Sequence, residues 1–339
     1  MRMTRTHAQS GFSLIELLIA MGLLLAVSSI VTSALMQMTK SQTTIWNRTE
    51  MHSGIRGATE LLQQEVGQAG RVSMPGTTAQ PGVMVLSQAV NDVGGAAPAA
   101  MTTCDPGTPT TNASSVNVNT TTGVFAAAGL PAAYELFTTL DGNLQELVKV
   151  ASVNSATSIT ACFLKQHDIG TVLMPLGAFA TGIVPPTGIV NGSSATVLKL
   201  YGDINGDGNM VYIEYTCDTV AHNLYRNVMA YNAGSKPAVT NSQILLSNII
   251  DNPGGTPCFT YQTTTYSAQG TLFTFVLDVA VTLTVETEQI DPVTRVKQTE
   301  TKALLNVSPR NVFTAWEMVG LGYTDHIQST PSTVTALLP

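Results

Sequence analysis

Charged side chains are scarce in this chain: they make up 11% of its 339 residues, against about 25% in soluble globular proteins. The net charge of −7 argues against nucleic-acid binding over the whole chain, because phosphate recognition requires a basic surface. Thr, Ser, Asn, Gly and Ala stand in place of the missing charges. This composition favours an extracytoplasmic, β-rich domain over a charged cytosolic enzyme.

Catalytic motifs are also missing. The chain contains no G-x-S-x-G, no H-E-x-x-H and no phosphate-binding glycine loop. The five histidines are scattered, and Asp168 beside His167 is interpreted as an ordinary surface pair. The sequence therefore predicts that the protein is not an enzyme, although spacing alone leaves open a triad assembled in space.

Cysteine is rare, with Cys104, Cys162, Cys217 and Cys258 as its four instances. They form no C-x-x-C pair, and no nearby histidine gives zinc-ligand spacing. An even number of widely spaced cysteines behind a membrane-targeting N-terminus favours two disulfides in an oxidising compartment, whereas the alternative is four buried thiols in a cytosolic core. Three pairings are possible, of which we predict Cys104–Cys162 and Cys217–Cys258.

The N-terminus is the most informative segment. Residues 1–11 contain two arginines and no acidic residue, so this short leader is expected to stay cytoplasmic. Residues 17–38 carry no charge, and about 20 apolar residues suffice for a helix to cross a bilayer. The sequence therefore predicts a membrane-spanning helix.

Glu16 is out of place at the start of such a helix. A carboxylate there costs on the order of 2–3 kcal/mol even on lenient insertion scales. A cation supplied at assembly would compensate for it, and a newly exposed α-amino group nearby would serve.

The run G-F-S-L-I-E at residues 11–16 resembles the cleavage motif of type IV prepilins, the class III signal peptide. The resemblance implies that a prepilin peptidase cuts after Gly11 and methylates the amino group of Phe12. Glu16 would then be the fifth residue of the mature chain and would pair with the amine of a neighbouring subunit. The rival hypothesis is a conventional signal-peptidase site near residues 26–28, which leaves Glu16 unexplained.

The rest of the chain divides by pattern. Residues 39–70 keep helical spacing and form an amphipathic second half of the helix, ended by Gly70 and then Pro75-Gly76. The predicted organisation comprises a leader at 1–11, an assembly half of the helix at 12–38, an amphipathic half at 39–70, a β-rich domain at 71–312 with a polar loop region at 76–130, and a tail at 313–339. The tail is expected to be a short helix followed by a frayed end.

Alternation of apolar and polar residues with intervening turns predicts many strands. We expect strands at 145–153, 158–164, 195–201, 210–216, 223–229, 243–250, 259–265 and 272–288, with 299–307 as the hairpin partner of the last. Residues 83–86 are a further possible strand inside the polar region. The fold class is therefore α+β: a long N-terminal helix packed on an antiparallel sheet domain.

In the C-terminal half, the segments I-E-Y-T-C-D, N-L-Y-R-N-V, L-L-S-N-I-I-D-N, C-F-T-Y and N-V-S-P-R-N-V resemble, in that order, large minor pilins of the PilW type and their pseudopilin relatives. The resemblance implies a type IV pilin-like fold and a structural role.

One loop has the pattern of a calcium site. Residues 203–214 fit D-x-[DN]-x-[DN]-G-x5-E, and calcium prefers six to eight oxygen ligands. The candidate ligands are Asp203, Asn205, Asp207, the carbonyl of Asn209, and Glu214. The alternative is a hairpin turn, since N-G and D-G are strong turn dipeptides and the residues after the loop resemble a strand. Calcium is the one cofactor that the sequence suggests.

The function expected from these observations is that of a minor pilin-like subunit that primes or caps a type IV pilus. Its partners would be the prepilin peptidase, the inner membrane before assembly, and other major and minor pilins through the helix. It would cross the inner membrane once, with a periplasmic domain, and then enter a pilus or pseudopilus. The alternatives are a pilus-tip adhesin or DNA-uptake module, and a type II secretion pseudopilin.

Overall fold

A computed structural model describes residues 13–74, 83–91, 113–124, 135–268, 271–323 and 326–339. It has a long N-terminal helix followed by a mostly antiparallel β-sheet domain, so the predicted α+β class is confirmed. Gly11, Phe12 and Cys104 lie outside the described residues.

The chain forms two compact units. The first contains residues 1–53 and 286–299, and the second contains 54–285 and 300–339. Helix α1, Leu14–Gln68, runs through the boundary at residue 53 without interruption. Each unit therefore holds one part of the same helix.

Within the described residues, two more α-helices, three single-turn 3-10 helices and sixteen strands follow α1. The α-helices are α2 (Arg310–Gly320) and α3 (Ser332–Leu337). The strands are β1 Met84–Val85, β2 Ser114–Asn117, β3 Glu135–Leu140, β4 Leu147–Ser155, β5 Ser158–Ala161, β6 Val172–Pro175, β7 Ala178–Phe179, β8 Val197–Gly202, β9 Val211–Asp218, β10 Asn223–Ala230, β11 Ile244–Ser247, β12 Ile249–Ile250, β13 Phe259–Ala268, β14 Thr271–Glu286, β15 Thr299–Val307 and β16 Ile327–Gln328.

The strands form three main sheets. The first has the order β1-β6-β3-β4-β5-β2, and the second has the order β11-β10-β9-β8. In the third, β14 pairs with β12, β13 and β15. A small parallel pair joins β7 to β16. Every strand predicted from residue 145 onward has a counterpart, including the hairpin of β14 and β15.

The second part of α1 packs through one apolar stripe. Ile55, Leu62 and Val66 are at most 1% exposed, at the helical spacing that the sequence predicted. The helix ends where Gly70 adopts φ +81°, a left-handed conformation that favours glycine after a helix. The Gly70 amide then donates to the carbonyl of Tyr201 at 2.9 Å, which ties the helix end to strand β8.

The predicted polar loop region contains more regular structure than its composition indicated. Residues 83–86 include strand β1, as predicted. The prediction of a turn or loop at Ser114–Asn117 is wrong, because these residues form strand β2. Val116 and Val118 are buried while Ser115 and Asn117 are exposed. This alternation is typical of a strand with one buried face, although the segment as a whole is rich in polar residues.

The expectation of a frayed C-terminal end is wrong. Helix α3 buries Val334 and Leu337, and Leu338 beyond it is also buried. The ammonium group of Lys199 donates to the carbonyl of Leu338 at 2.7 Å. These apolar contacts with one cluster of the second unit hold the last residues in place.

Candidate functional site

Ser13 caps the start of helix α1. Its side-chain oxygen accepts from the Ile15 amide at 3.3 Å, and its carbonyl accepts from the amides of Glu16 and Leu17 at 3.0 and 3.1 Å. Ser13 therefore acts as an N-cap. Glu16 lies three positions later, in the first turn, where the helix dipole favours a negative charge.

The apolar run after Glu16 faces outward. Its large apolar side chains are between 51% (Val31) and 70% (Ile30) exposed. Among the described residues, α1 is the one helix long and apolar enough to cross a membrane. Glu16 therefore stands at the entrance of a segment whose apolar surface is available to lipid or to other helices.

Two threonine hydroxyls in and just after this run donate to carbonyls of the helix itself. Thr32 donates to the Ser28 carbonyl at 2.8 Å, and Thr39 donates to the Leu35 carbonyl at 2.9 Å. Such back-bonding lets polar side chains enter a membrane without an orphaned donor.

The loop at residues 203–210 joins β8 to β9 and keeps Asp203 fully buried. The Asp203 Oδ1 accepts from the Asp207 amide at 3.1 Å, and Asp207 Oδ1 accepts from the Asn209 amide at 2.9 Å. Asp203 Oδ2 has no hydrogen-bond partner but lies 3.6 Å from Nε of Arg71. Sequence reasoning missed Arg71, which follows the end of the helix by three residues.

Glu214 takes part in a different cluster. Its carboxylate accepts from the Lys236 ammonium at 2.7 Å and from the Tyr212 hydroxyl at 3.0 Å. Lys199 lies 3.9 Å from the same oxygen. Among the described residues, no group of three or more His, Cys, Asp or Glu side chains is arranged to hold a metal ion. Calcium binding by the loop stays a prediction.

The structure contains the predicted disulfide between Cys217 and Cys258. Cys162 is also disulfide-bonded. The bond between Cys217 and Cys258 joins β9 to the residue before β13. It therefore links the second sheet to the third.

The interpretation of His167 as part of a surface pair with Asp168 is wrong. His167 is fully buried, and its ring nitrogens lie 2.9 Å from Asp141 Oδ2 and 2.9 Å from Glu146 Oε1. Burial alone would lower the pKa of His167, but hydrogen bonds to Glu146 and Asp141 outweigh it, and the pKa is raised. The two partners are distant in sequence, so spacing gave no signal for this arrangement.

A second buried charge holds helix α1 to the second sheet. Glu65 is 4% exposed, and its two oxygens share the Nε–H of Arg226 at 3.1 and 3.2 Å, while Nη2 of Arg226 also donates to Oε1. Glu65 also accepts from the Tyr215 hydroxyl. Burial, together with the charge of Glu65, raises the pKa of Tyr215 above its usual range. The cluster is an internal ion pair that joins the helix to strands β9 and β10.

Comparison with known protein families gives one result. Residues 6–32 match the prokaryotic N-terminal methylation motif. The segment is a type IV prepilin-like signal, as the sequence resemblance implied. The motif supports a type IV pilin-like or pseudopilin protein. In general it implies processing by a prepilin peptidase, and together with the apolar helix it is consistent with membrane anchoring.

No curated protein and no solved structure matches the chain. The methylation motif and the helix that continues it are therefore the basis for assigning a function.

Proposed function

We propose that this protein is a minor pilin-like structural subunit of a type IV pilus. A prepilin peptidase cuts it after Gly11 and methylates Phe12, and it joins the filament through helix α1. The observation that carries the proposal is the methylation motif at residues 6–32 in direct continuity with a helix whose apolar side chains are exposed. The 339-residue length favours a minor subunit that primes or caps assembly.

Before assembly the subunit waits in the inner membrane with its sheet domain in the periplasm. The exposed apolar side chains of residues 17–38 then face lipid. On assembly they exchange lipid for neighbouring helices, so this step changes the partner of the segment without requiring the segment to refold.

Glu16 selects how the helices of neighbouring subunits align when they replace the lipid. Its carboxylate in the first turn interacts favourably with its own helix dipole, but in hydrocarbon it still lacks a full counter-charge. The methylated amine of a neighbouring Phe12 would supply one. A subunit that brings an amine to this carboxylate is therefore favoured over other arrangements.

A stripe of small hydroxyl residues supports close packing of helices. Ser28, Ser29, Thr32 and Ser33 line one face of the apolar segment. Small side chains let two helices approach closely in a membrane. This face is suited to contact with another subunit.

The test compares two carboxylates on the same helix. We expect Glu16→Gln, which keeps the side-chain size, to be inserted and processed but strongly depleted from sheared surface filaments. Glu50→Gln, at an exposed position later in the helix, is the matched control and should enter filaments normally. Immunodetection in sheared and cellular fractions measures both. Equal incorporation of the two variants would contradict the role of Glu16.

The methylation motif equally supports a second candidate, a type II secretion pseudopilin. A pseudopilin would stay in the periplasm, so the wild-type protein would be missing from surface filaments while still processed. The same fractionation therefore separates the two candidates.

A further inference from the structure

The loop that joins β14 to β15 belongs to the first unit and lies against helix α1. Asp291 Oδ1 accepts from the Thr44 hydroxyl at 3.0 Å. Gln298 accepts from Arg48 and donates to the other oxygen of Asp291. The two contacts with the helix thus form one hydrogen-bonded network that fixes the loop in place.

The network also sets the direction of the loop along the helix. The end of the loop nearest β15 contacts Arg48, and the middle of the loop contacts Thr44. Val293, at the tip, lines a groove that reaches Lys40 and Gln37. The tip is therefore directed toward the apolar part of the helix.

The tip exposes aliphatic side chains. Ile290, Val293 and Val296 are 61%, 66% and 60% exposed, in a loop only twelve residues from the end of β14 to the start of β15. The carboxylate of Asp291 is turned inward, where it accepts from the Val293 amide at 2.7 Å. The Val293 amide, the Thr44 hydroxyl and the charge of Arg48 hold the pKa of Asp291 below its usual value, so this acid is already stabilised within the loop.

Charged groups near the tip have different surroundings. The ammonium group of Lys297 donates a hydrogen bond to the carboxylate of Glu286, so that ion pair carries no net charge. Arg295 is exposed, as are Lys40 on the helix and Glu288 before the tip. Arg295 is the one charged residue between Val293 and Val296, so the tip itself is apolar and cationic.

We propose that residues 290–296 dock into the headgroup and upper acyl region of the same bilayer that helix α1 crosses before assembly. The proposal rests on the membrane anchoring proposed above. With residues 17–38 in the hydrocarbon and a rise of 1.5 Å per residue, Thr44 stands about 9 Å beyond the end of that run. A loop that binds Thr44 and extends toward Gln37 reaches the bilayer surface.

The lipid interface fits this surface chemically. Exposed aliphatic side chains gain by entering the boundary between headgroups and acyl chains, and nearby cations are attracted to anionic lipid phosphates. Trp46, which is 75% exposed on the helix, is of a type enriched at membrane interfaces. The loop would act as a second membrane contact that limits rotation and tilt of the helix.

The experiment places single tryptophans in the full chain, reconstituted in nanodiscs of phosphatidylethanolamine and phosphatidylglycerol. One set of nanodiscs is brominated at shallow acyl positions and a second set at deep acyl positions. The background carries Trp46→Phe and Trp316→Phe. Val293→Trp reports on the tip, and Leu24→Trp reports on the membrane segment. Val220→Trp is the matched control, since Val220 is an exposed valine of the second unit to which the proposal assigns no lipid contact.

We expect loss of fluorescence for Val293→Trp in brominated relative to unbrominated nanodiscs, and no loss for Val220→Trp. Quenching of a Leu24→Trp reporter by deeper bromines shows that the helix is inserted. If that reporter is quenched while Val293→Trp behaves like the control, the loop does not contact lipid and the proposal fails alone. If the helix reporter is not quenched at any bromine depth, membrane anchoring and the loop proposal fail together.

Discussion

Two parts of one helix use their apolar side chains in different ways. From residue 14 to residue 38, in the first unit, the large apolar side chains are more than half exposed. From residue 54 onward, in the second unit, Ile55, Leu62 and Val66 are buried. Both parts have continuous helical backbone, so helicity does not distinguish them.

The difference lies in the periodicity of polar residues. The first part is apolar all around, as expected for a segment surrounded by lipid or other helices. The second part has an apolar stripe on one face and polar residues, among them Arg56 and Glu60, on the other. This part of the helix therefore needs an apolar partner on one side only. The same backbone can therefore be stabilised by the membrane in one part and by a sheet in the other.

The largest expected effect is the loss of the buried charge that belongs to the second part. Glu65→Ala would leave Arg226 without its partner and the Tyr215 hydroxyl without its acceptor. Breaking a buried ion pair by removing one partner costs about 3–5 kcal/mol. Urea unfolding of the detergent-solubilised full chain measures the loss.

The control for Glu65 is Glu60→Ala on the same helix. Glu60 forms an exposed pair with Arg56, and exposed pairs contribute little. Its removal should leave the unfolding midpoint nearly unchanged. Equal destabilisation by the two substitutions would mean that burial of Glu65 does not distinguish these positions.

A leucine in each part tests the comparison directly. Leu62→Ala removes a fully buried side chain and should lower the free energy of unfolding by about 2–4 kcal/mol. Leu24→Ala, at a 66% exposed position, should leave that free energy unchanged. Both are measured by the same urea titration, and a large loss for Leu24→Ala would show that the first part also has an intramolecular partner.

The buried histidine predicts a pH dependence that belongs to the second unit. Because the pKa of His167 is raised in the folded state, its protonation stabilises the fold below its ordinary pKa of about 6.5. That contribution is lost as pH rises through the folded pKa. We expect the wild type to lose more stability than His167→Gln over this rise, as measured by urea midpoints across neutral to alkaline pH. Parallel curves would exclude His167 as the source.

The smallest expected effect concerns the loop at residues 203–210. Calcium at millimolar concentration should raise the melting temperature, and more so in Arg71→Gln, because the guanidinium near Asp203 competes with a bound cation. Binding to the folded state adds about 1.4 kcal/mol at a tenfold excess over Kd, the excess that millimolar calcium gives over a Kd on the order of 0.1 mM. Differential scanning of the full chain with calcium and then chelator measures the shift.

Asp207→Ala is the control for calcium. A calcium shift that this substitution abolishes supports ligands in the loop. An equal shift in wild type and Asp207→Ala would mean binding elsewhere, and no shift in any variant would leave the loop a turn closed by Arg71.

The sequence predicted those features that depend on local pattern. The long helix, its end at Gly70, and the hairpin of β14 and β15 follow from periodicity and turn residues, and the structure contains all three. The methylation motif at residues 6–32 is likewise contiguous. The pattern of residues within short segments was enough to predict these features.

The features that the sequence missed depend on contacts between distant residues. Glu65 and Arg226 are 161 positions apart, and neither has a local pattern that marks it for burial. The burial of His167 requires two carboxylates, Asp141 and Glu146, from the connection between β3 and β4. Strand β2 forms because a partner strand, β5, is available. Residues 331–338 stay ordered through apolar contacts with the second unit's core, which composition could not indicate.

We propose that residues 1–11 are a leader that is removed before the helix is used for assembly. Intact-mass analysis of the membrane-extracted protein, with sequencing of its N-terminal peptide, tests this most directly. We expect a chain that begins at Phe12 with one added methyl group, and a Gly11→Ala variant that keeps the leader. A mature terminus near Ser28, or a chain lacking the whole apolar run, would contradict cleavage after Gly11.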